Sequence, residues 1–113
     1  MHELAITQSL LQIATDEAER IGASQIKVIR LRVGALTDIV PDSVQFYLDS
    51  MTPGTIAAGV RLETIRIPVG ATCTRCDRFF VVQDYDLTCP ECGGVGKITQ
   101  GRELQVESLE VEE

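Results

Sequence analysis

The sequence predicts an α+β fold: a small three-stranded, mainly antiparallel sheet backed by two helices, with a zinc-ribbon subdomain inserted before the third strand. Three observations lead there. Two stretches repeat apolar residues at helical spacing, three alternate them at strand spacing, and two Cys-x-x-Cys pairs fall between the second and third alternating stretches.

From Met1 to Ile21 the apolar residues Ile6, Leu10, Ile13, Ala14, Ala18 and Ile21 recur at helical spacing, with Gln8, Gln12, Asp16 and Glu19 on the other side. Gly22 is placed to end this helix. Gln25 to Val33 reads as a strand, since Ile29, Leu31 and Val33 alternate with Arg30 and Arg32. Pro41 suits the first turn of a second helix, with Val44, Tyr47, Leu48 and Met51 on one face and Thr52-Pro53-Gly54 as the stop. Val60 to Ile67 is the second strand, and Pro68-Val69-Gly70 leads out to the cysteines. Phe79 to Val82 forms a short strand beside them, and the chain leaves through Gly93, Gly94 and Gly96. Glu103 to Val111 is the third long strand. All three long strands change the phase of their alternation partway, which fits either a bulge or a sheet covered by different elements at its two ends.

The cysteine pattern is Cys73-Thr74-Arg75-Cys76, twelve residues, then Cys89-Pro90-Glu91-Cys92. Two residues between paired cysteines let both sulfurs of a tight turn face one point, and two such turns supply the four thiolates of a tetrahedral zinc site. A redox dithiol or an iron–sulfur site uses similar pairs, but a redox motif usually occurs once, at a helix N-terminus. Four thiolates leave no open coordination position, so this zinc holds structure and does no chemistry. The expected division is a base of residues 1–68 with 97–113, and a ribbon of residues 69–96. The ribbon is too short to fold on its own core without metal. Its glycines either allow relative motion or make tight turns.

The formal charge of −7 over 113 residues becomes about −9 with zinc bound, so a phosphate backbone is repelled and no nucleic-acid partner is expected. No apolar run approaches the roughly twenty residues that span a membrane, and the first residues do not resemble an export signal. The expected location is cytoplasmic, with reduced thiols. Catalytic constellations are absent: there is one histidine, no cysteine beyond the four, and no serine elbow. Gly93 to Lys97 fails as a phosphate loop, because Glu91 stands where its first glycine should be and Ile98 where Ser or Thr should be.

His2 remains. With a free amine at Met1, that nitrogen, the His2 amide nitrogen, the His2 imidazole and the Glu3 amide nitrogen make a planar four-nitrogen set. Such a field suits nickel(II) or copper(II) rather than zinc. The first N–H groups of a helix have no partner within it, so deprotonating these amides breaks no helical bond. A dication with two deprotonated amides is neutral overall and avoids most of the penalty a cation meets at the positive helix end.

The opening Met1-His2-Glu3, Arg32-Val33-Gly34, Val40-Pro41, the paired knuckles ending Cys92-Gly93, and Gly101-Arg102-Glu103-Leu104 together resemble the HypA/HybF family of hydrogenase-maturation nickel chaperones. The resemblance implies transferred Ni(II) at Met1, His2 and Glu3, and structural Zn(II) at Cys73, Cys76, Cys89 and Cys92. It implies action with the GTPase HypB on the large subunit of [NiFe]-hydrogenase, and service to urease maturation in some relatives. Some relatives carry histidines beside the cysteine pairs, and this chain does not. Competing readings are a zinc-ribbon adaptor that binds protein or nucleic acid without a second metal, and a dithiol oxidoreductase.

Overall fold

The computed structural model describes residues 3–113. Its elements run α1 (Glu3–Arg20), β1 (Gln25–Gly34), α2 (Pro41–Met51), β2 (Arg61–Ile67), β3 (Gly70–Cys73), β4 (Phe79–Val81), β5 (Gly96–Gln100) and β6 (Leu104–Glu112). The strands form two three-stranded sheets, ordered β2-β1-β6 and β4-β3-β5. The chain divides into two compact units. One takes in the chain through Arg32, with Asp38–Ile65 and Gln105–Glu113, and the other takes in Val33–Thr37 and Arg66–Leu104. Among the described residues no helix is long and apolar enough to cross a membrane.

The first unit is built as an amphipathic pattern dictates. α1 and α2 pack together, and Leu10, Ala14 and Ala18 of α1 join Val44 and Leu48 of α2 in the core with Ile26, Val28, Ile29 and Leu31 of β1. The buried stripe of α1 keeps Leu10, Ala14 and Ala18 of the expected face but not its isoleucines. Thr7 is buried in place of Ile6, while Ile13 and Ile21 are 55% and 49% exposed. Thr7 tolerates burial because its hydroxyl donates to the carbonyl of Glu3 at 2.6 Å, leaving no polar atom unsatisfied. Gly22 ends the helix at φ +74°. The side chain of Gln45 bridges α2 to the start of β2: its amide donates to the Val60 carbonyl at 3.0 Å, and its Oε1 accepts the Leu62 N–H at 2.7 Å.

The phase changes along the long strands keep one face charged. Lys27, Arg30 and Arg32 of β1 meet Glu112, Glu110 and Glu107 of β6 in that order, so the two strands are antiparallel, and Arg30 also reaches Glu63 of β2. The three-residue step from Lys27 to Arg30 faces the two-residue step from Glu112 to Glu110, and the two-residue step from Arg30 to Arg32 faces the three-residue step from Glu110 to Glu107. The apolar residues therefore stay on the helix-covered face, as bulges would arrange. Each pair is substantially exposed and contributes at most about 1 kcal/mol.

The second unit holds three strands where one was expected. Pro68 to Gly70 and the glycines after Cys92 carry the composition of connections, yet β3 begins at Gly70 and β5 at Gly96, both antiparallel in the β4-β3-β5 sheet. Neither strand alternates visibly, because small residues and a cysteine occupy the positions that large apolar residues would mark. Gly96 is small for a steric reason: a Cβ there would lie 2.6 Å from the Phe80 ring. Elsewhere in this unit Gly34 meets Gly101, where a Cβ on Gly34 would sit 2.1 Å from the Gly101 carbonyl oxygen. Gly34 therefore cannot carry a side chain where it meets Gly101, and Gly101 itself sits at φ +124°, a conformation that side-chain-bearing residues rarely adopt.

Candidate metal centre

The four cysteine sulfurs converge: all Sγ atoms lie within 4.8 Å of one another. Cys73 and Cys92 sulfurs are 3.4 Å apart, and those of Cys76 and Cys89 are 3.7 Å apart. Ligands about 2.3 Å from a tetrahedral zinc stand about 3.8 Å from each other. The donor set therefore fits a four-thiolate ion. No cysteine is engaged in a disulfide.

The two knuckles are built alike. In the first, the Cys73 N–H donates to the Arg78 carbonyl at 2.9 Å and the Asp77 N–H donates to the Cys73 carbonyl at 3.1 Å. In the second, the Cys89 N–H donates to the Gly94 carbonyl at 2.8 Å and the Gly93 N–H donates to the Cys89 carbonyl at 3.0 Å. The residue after each second cysteine is left-handed, Asp77 at φ 62° and Gly93 at φ 74°. The turn then aims backbone N–H groups at sulfur. Arg75 and Cys76 N–H point to Cys73 Sγ at 3.3 and 3.5 Å, and Gly94 N–H points to Cys92 Sγ at 3.4 Å. Phe80 of β4 is buried with Ala71, Cys73 and Cys89, and Val82 and Leu87 pack against that cluster.

These donors decide where negative charge is held. The N–H of Cys76, then that of Arg75, draw the Cys73 thiol down to about 6 against the opposing effect of desolvation. Cys89 is also lowered, first by the Cys92 N–H. At Cys76 the Arg78 N–H pulls downward, yet desolvation and the thiols of Cys73, Cys89 and Cys92 together push it up to about 11. Crowded sulfurs cannot all ionise without a cation among them, which is the electrostatic signature of a metal cage.

The amino-terminal set is only partly on view. Met1 and His2 lie outside the described residues. Glu3 opens α1, so its N–H belongs to the first turn, where no intrahelical acceptor exists. Its carboxylate reaches α2, with Oε2 accepting the Val40 N–H at 3.4 Å. Val40 is the N-cap of α2 and offers no side-chain cap of its own. Sequence reasoning missed this contact, because nothing in the spacing of residues 3 and 40 announces it.

A family model described as HypA, hydrogenase/urease nickel incorporation, metallochaperone, matches residues 1–111. The chain is 38% identical over 113 residues to the hydrogenase maturation factor HypA of Geobacter metallireducens, covering 99% of this chain and 100% of that protein. It is 39% identical to the counterpart in Geobacter sulfurreducens, with the same coverage. Its fold is similar to the solution structure of the Ni metallochaperone HypA from Helicobacter pylori, with a TM-score of 0.70 and 22% identity over 99% of this chain and 98% of that one. A second HypA solution structure gives a TM-score of 0.77 at 22% identity, over 98% and 96% of the two chains. At that identity the structural likeness concerns the fold alone. The full-length match of the family model, together with relatives well above 30% identical, shows that the chain belongs to the HypA family of nickel-incorporation metallochaperones for hydrogenase maturation.

Proposed function

We propose that the chain carries nickel(II) as cargo on the Met1 amine, the His2 amide and imidazole, and the Glu3 amide, while Cys73, Cys76, Cys89 and Cys92 hold a structural zinc. The family match across residues 1–111 carries this reading, because it spans both the terminal Met1-His2-Glu3 and the four-sulfur cage. In this division of labour, residues 69–96 are scaffold and the nickel site belongs to the base of residues 1–68 and 97–113. The chain performs no catalysis. It works with the HypB GTPase to load the large subunit of [NiFe]-hydrogenase, with urease maturation as a second outlet. Four free thiols in one cage suit the reducing cytoplasm.

The cage fits zinc because its sulfurs stand at tetrahedral spacing and its N–H donors offset thiolate charge. Zinc would supply a closed, redox-inert cross-link between the two knuckles. Glu3 contributes differently. Its amide joins the nickel set while its carboxylate accepts the Val40 N–H at the N-terminus of α2, at 3.4 Å. The assembled complex is neutral and borne on a short terminus, which favours stepwise surrender of ligands to an acceptor.

Nickel titration by calorimetry, on protein with a native N-terminus and on protein carrying an N-terminal extension, tests the ligand set. The extended protein and His2→Ala should lose nickel binding while retaining zinc and fold. Affinity in the native protein should fall as pH drops from about 8 to 6, since the amine and imidazole must lose protons to bind. Equal affinity with and without the extension would overturn the proposed set.

A further inference from the structure

We propose that the free edge of β6 is a docking site for an extended partner segment in which apolar residues alternate with Lys or Arg, added as a fourth strand to the β2-β1-β6 sheet. Among the described residues β6 has a strand neighbour on one side only. Its other edge presents unpaired backbone donors and acceptors.

Two further observations choose the occupant. A groove of about 630 Å³ runs between α1 and the inner face of β6, with Ile13, Ile21, Val106, Leu109 and Val111 among its lining residues. Ile13 and Ile21 stand half in solvent, so α1 leaves this side of the sheet incompletely covered. A strand joined to the β6 edge would point every second side chain toward that groove and the remainder to the opposite face. On that opposite face charge changes sign from β1 to β6. β1 presents Lys27, Arg30 and Arg32, and β6 presents Glu112, Glu110 and Glu107. The strand that continues this order is basic, because cross-strand neighbours of opposite charge stabilise a pair and like charges oppose it. A second copy pairing through the same edge would set β6 carboxylates against β6 carboxylates. The occupant is therefore a different protein, recognised by main-chain hydrogen bonds, an apolar row and a cationic row.

The full chain is titrated with a nine-residue peptide alternating valine and lysine, matching the nine residues of β6, and with its valine–glutamate counterpart. Binding is read by fluorescence anisotropy and by hydrogen exchange. The basic peptide should bind and slow exchange at those β6 amides that do not pair with β1. The acidic peptide should bind at least about tenfold more weakly, and Ile13→Ser should weaken the basic peptide without altering unfolding. Should that variant fail to fold, the exchange map of the unsubstituted protein decides alone. Equal affinity for both peptides, binding that leaves β6 exchange unchanged, or no binding of the basic peptide would each overturn the proposal.

Discussion

The unit that contains α1 and α2 buries Leu10, Ala14, Ala18, Ile26, Val28, Ile29, Leu31, Val44 and Leu48, side chains large and numerous enough to hold two helices on a sheet. The cysteine-bearing unit gathers Ala71, Cys73, Phe80 and Cys89 into one cluster, with Val82 and Leu87 alongside, and two of those four are cysteines of the sulfur cage. Burial of apolar area drives the first unit. In the second, the proposed zinc cross-link would do what side-chain volume cannot, because so small a cluster does not offset the conformational entropy of ordering its strands.

Metal removal is the strongest way to break that comparison. Apparent zinc affinities of structural sites correspond to about 10–16 kcal/mol at neutral pH, so a chelator or Cys89→Ser should abolish hydrogen-exchange protection in β3, β4 and β5. Protection in α1 should survive. Simultaneous loss in α1 would show that the units do not differ as their cores suggest. Next in size is Leu48→Ala, which empties a fully buried site and should cost about 2–5 kcal/mol in urea unfolding of the helical unit while zinc content stays unchanged. The smallest effect lies within the ribbon. Asp77 takes a left-handed conformation that Gly93 takes in the matching turn, so Asp77→Gly should raise the stability of the zinc-bound ribbon by at most about 1 kcal/mol, read as resistance to chelation. A loss there would mean that the Asp77 side chain contributes something the turn geometry does not reveal.

The sequence made the long elements legible because their apolar residues keep a period: α1, α2, β1, β2 and β6 all stand within a residue or two of where alternation or helical spacing put them. The four cysteines were legible for a different reason, since tetrahedral chemistry demands two close pairs whatever fold surrounds them. What escaped was set by contacts between distant residues. Thr7 displaced an isoleucine from the buried stripe through a hydroxyl bond to Glu3, β3 and β5 carry small residues without alternation, and Gln45 stands in for a strand partner through its side-chain amide. Gly34 and Gly101 were visible as motif positions, but only the close approach at Gly34 and the positive φ of Gly101 explain why neither carries a side chain. The proposed nickel set rests on coordination chemistry among three adjacent residues, whereas the Glu3 contact with Val40 is one that no local pattern contains.

The pairing of Lys27 with Glu112 has a kinetic meaning. The strand completing that sheet is the last in the chain, whereas all three strands of the other sheet fall between Gly70 and Gln100. Loop-closure entropy makes pairings so distant in sequence slow to form. The cysteine sheet can thus assemble from local contacts, while the helices wait, one strand short, for β6 to return to β1.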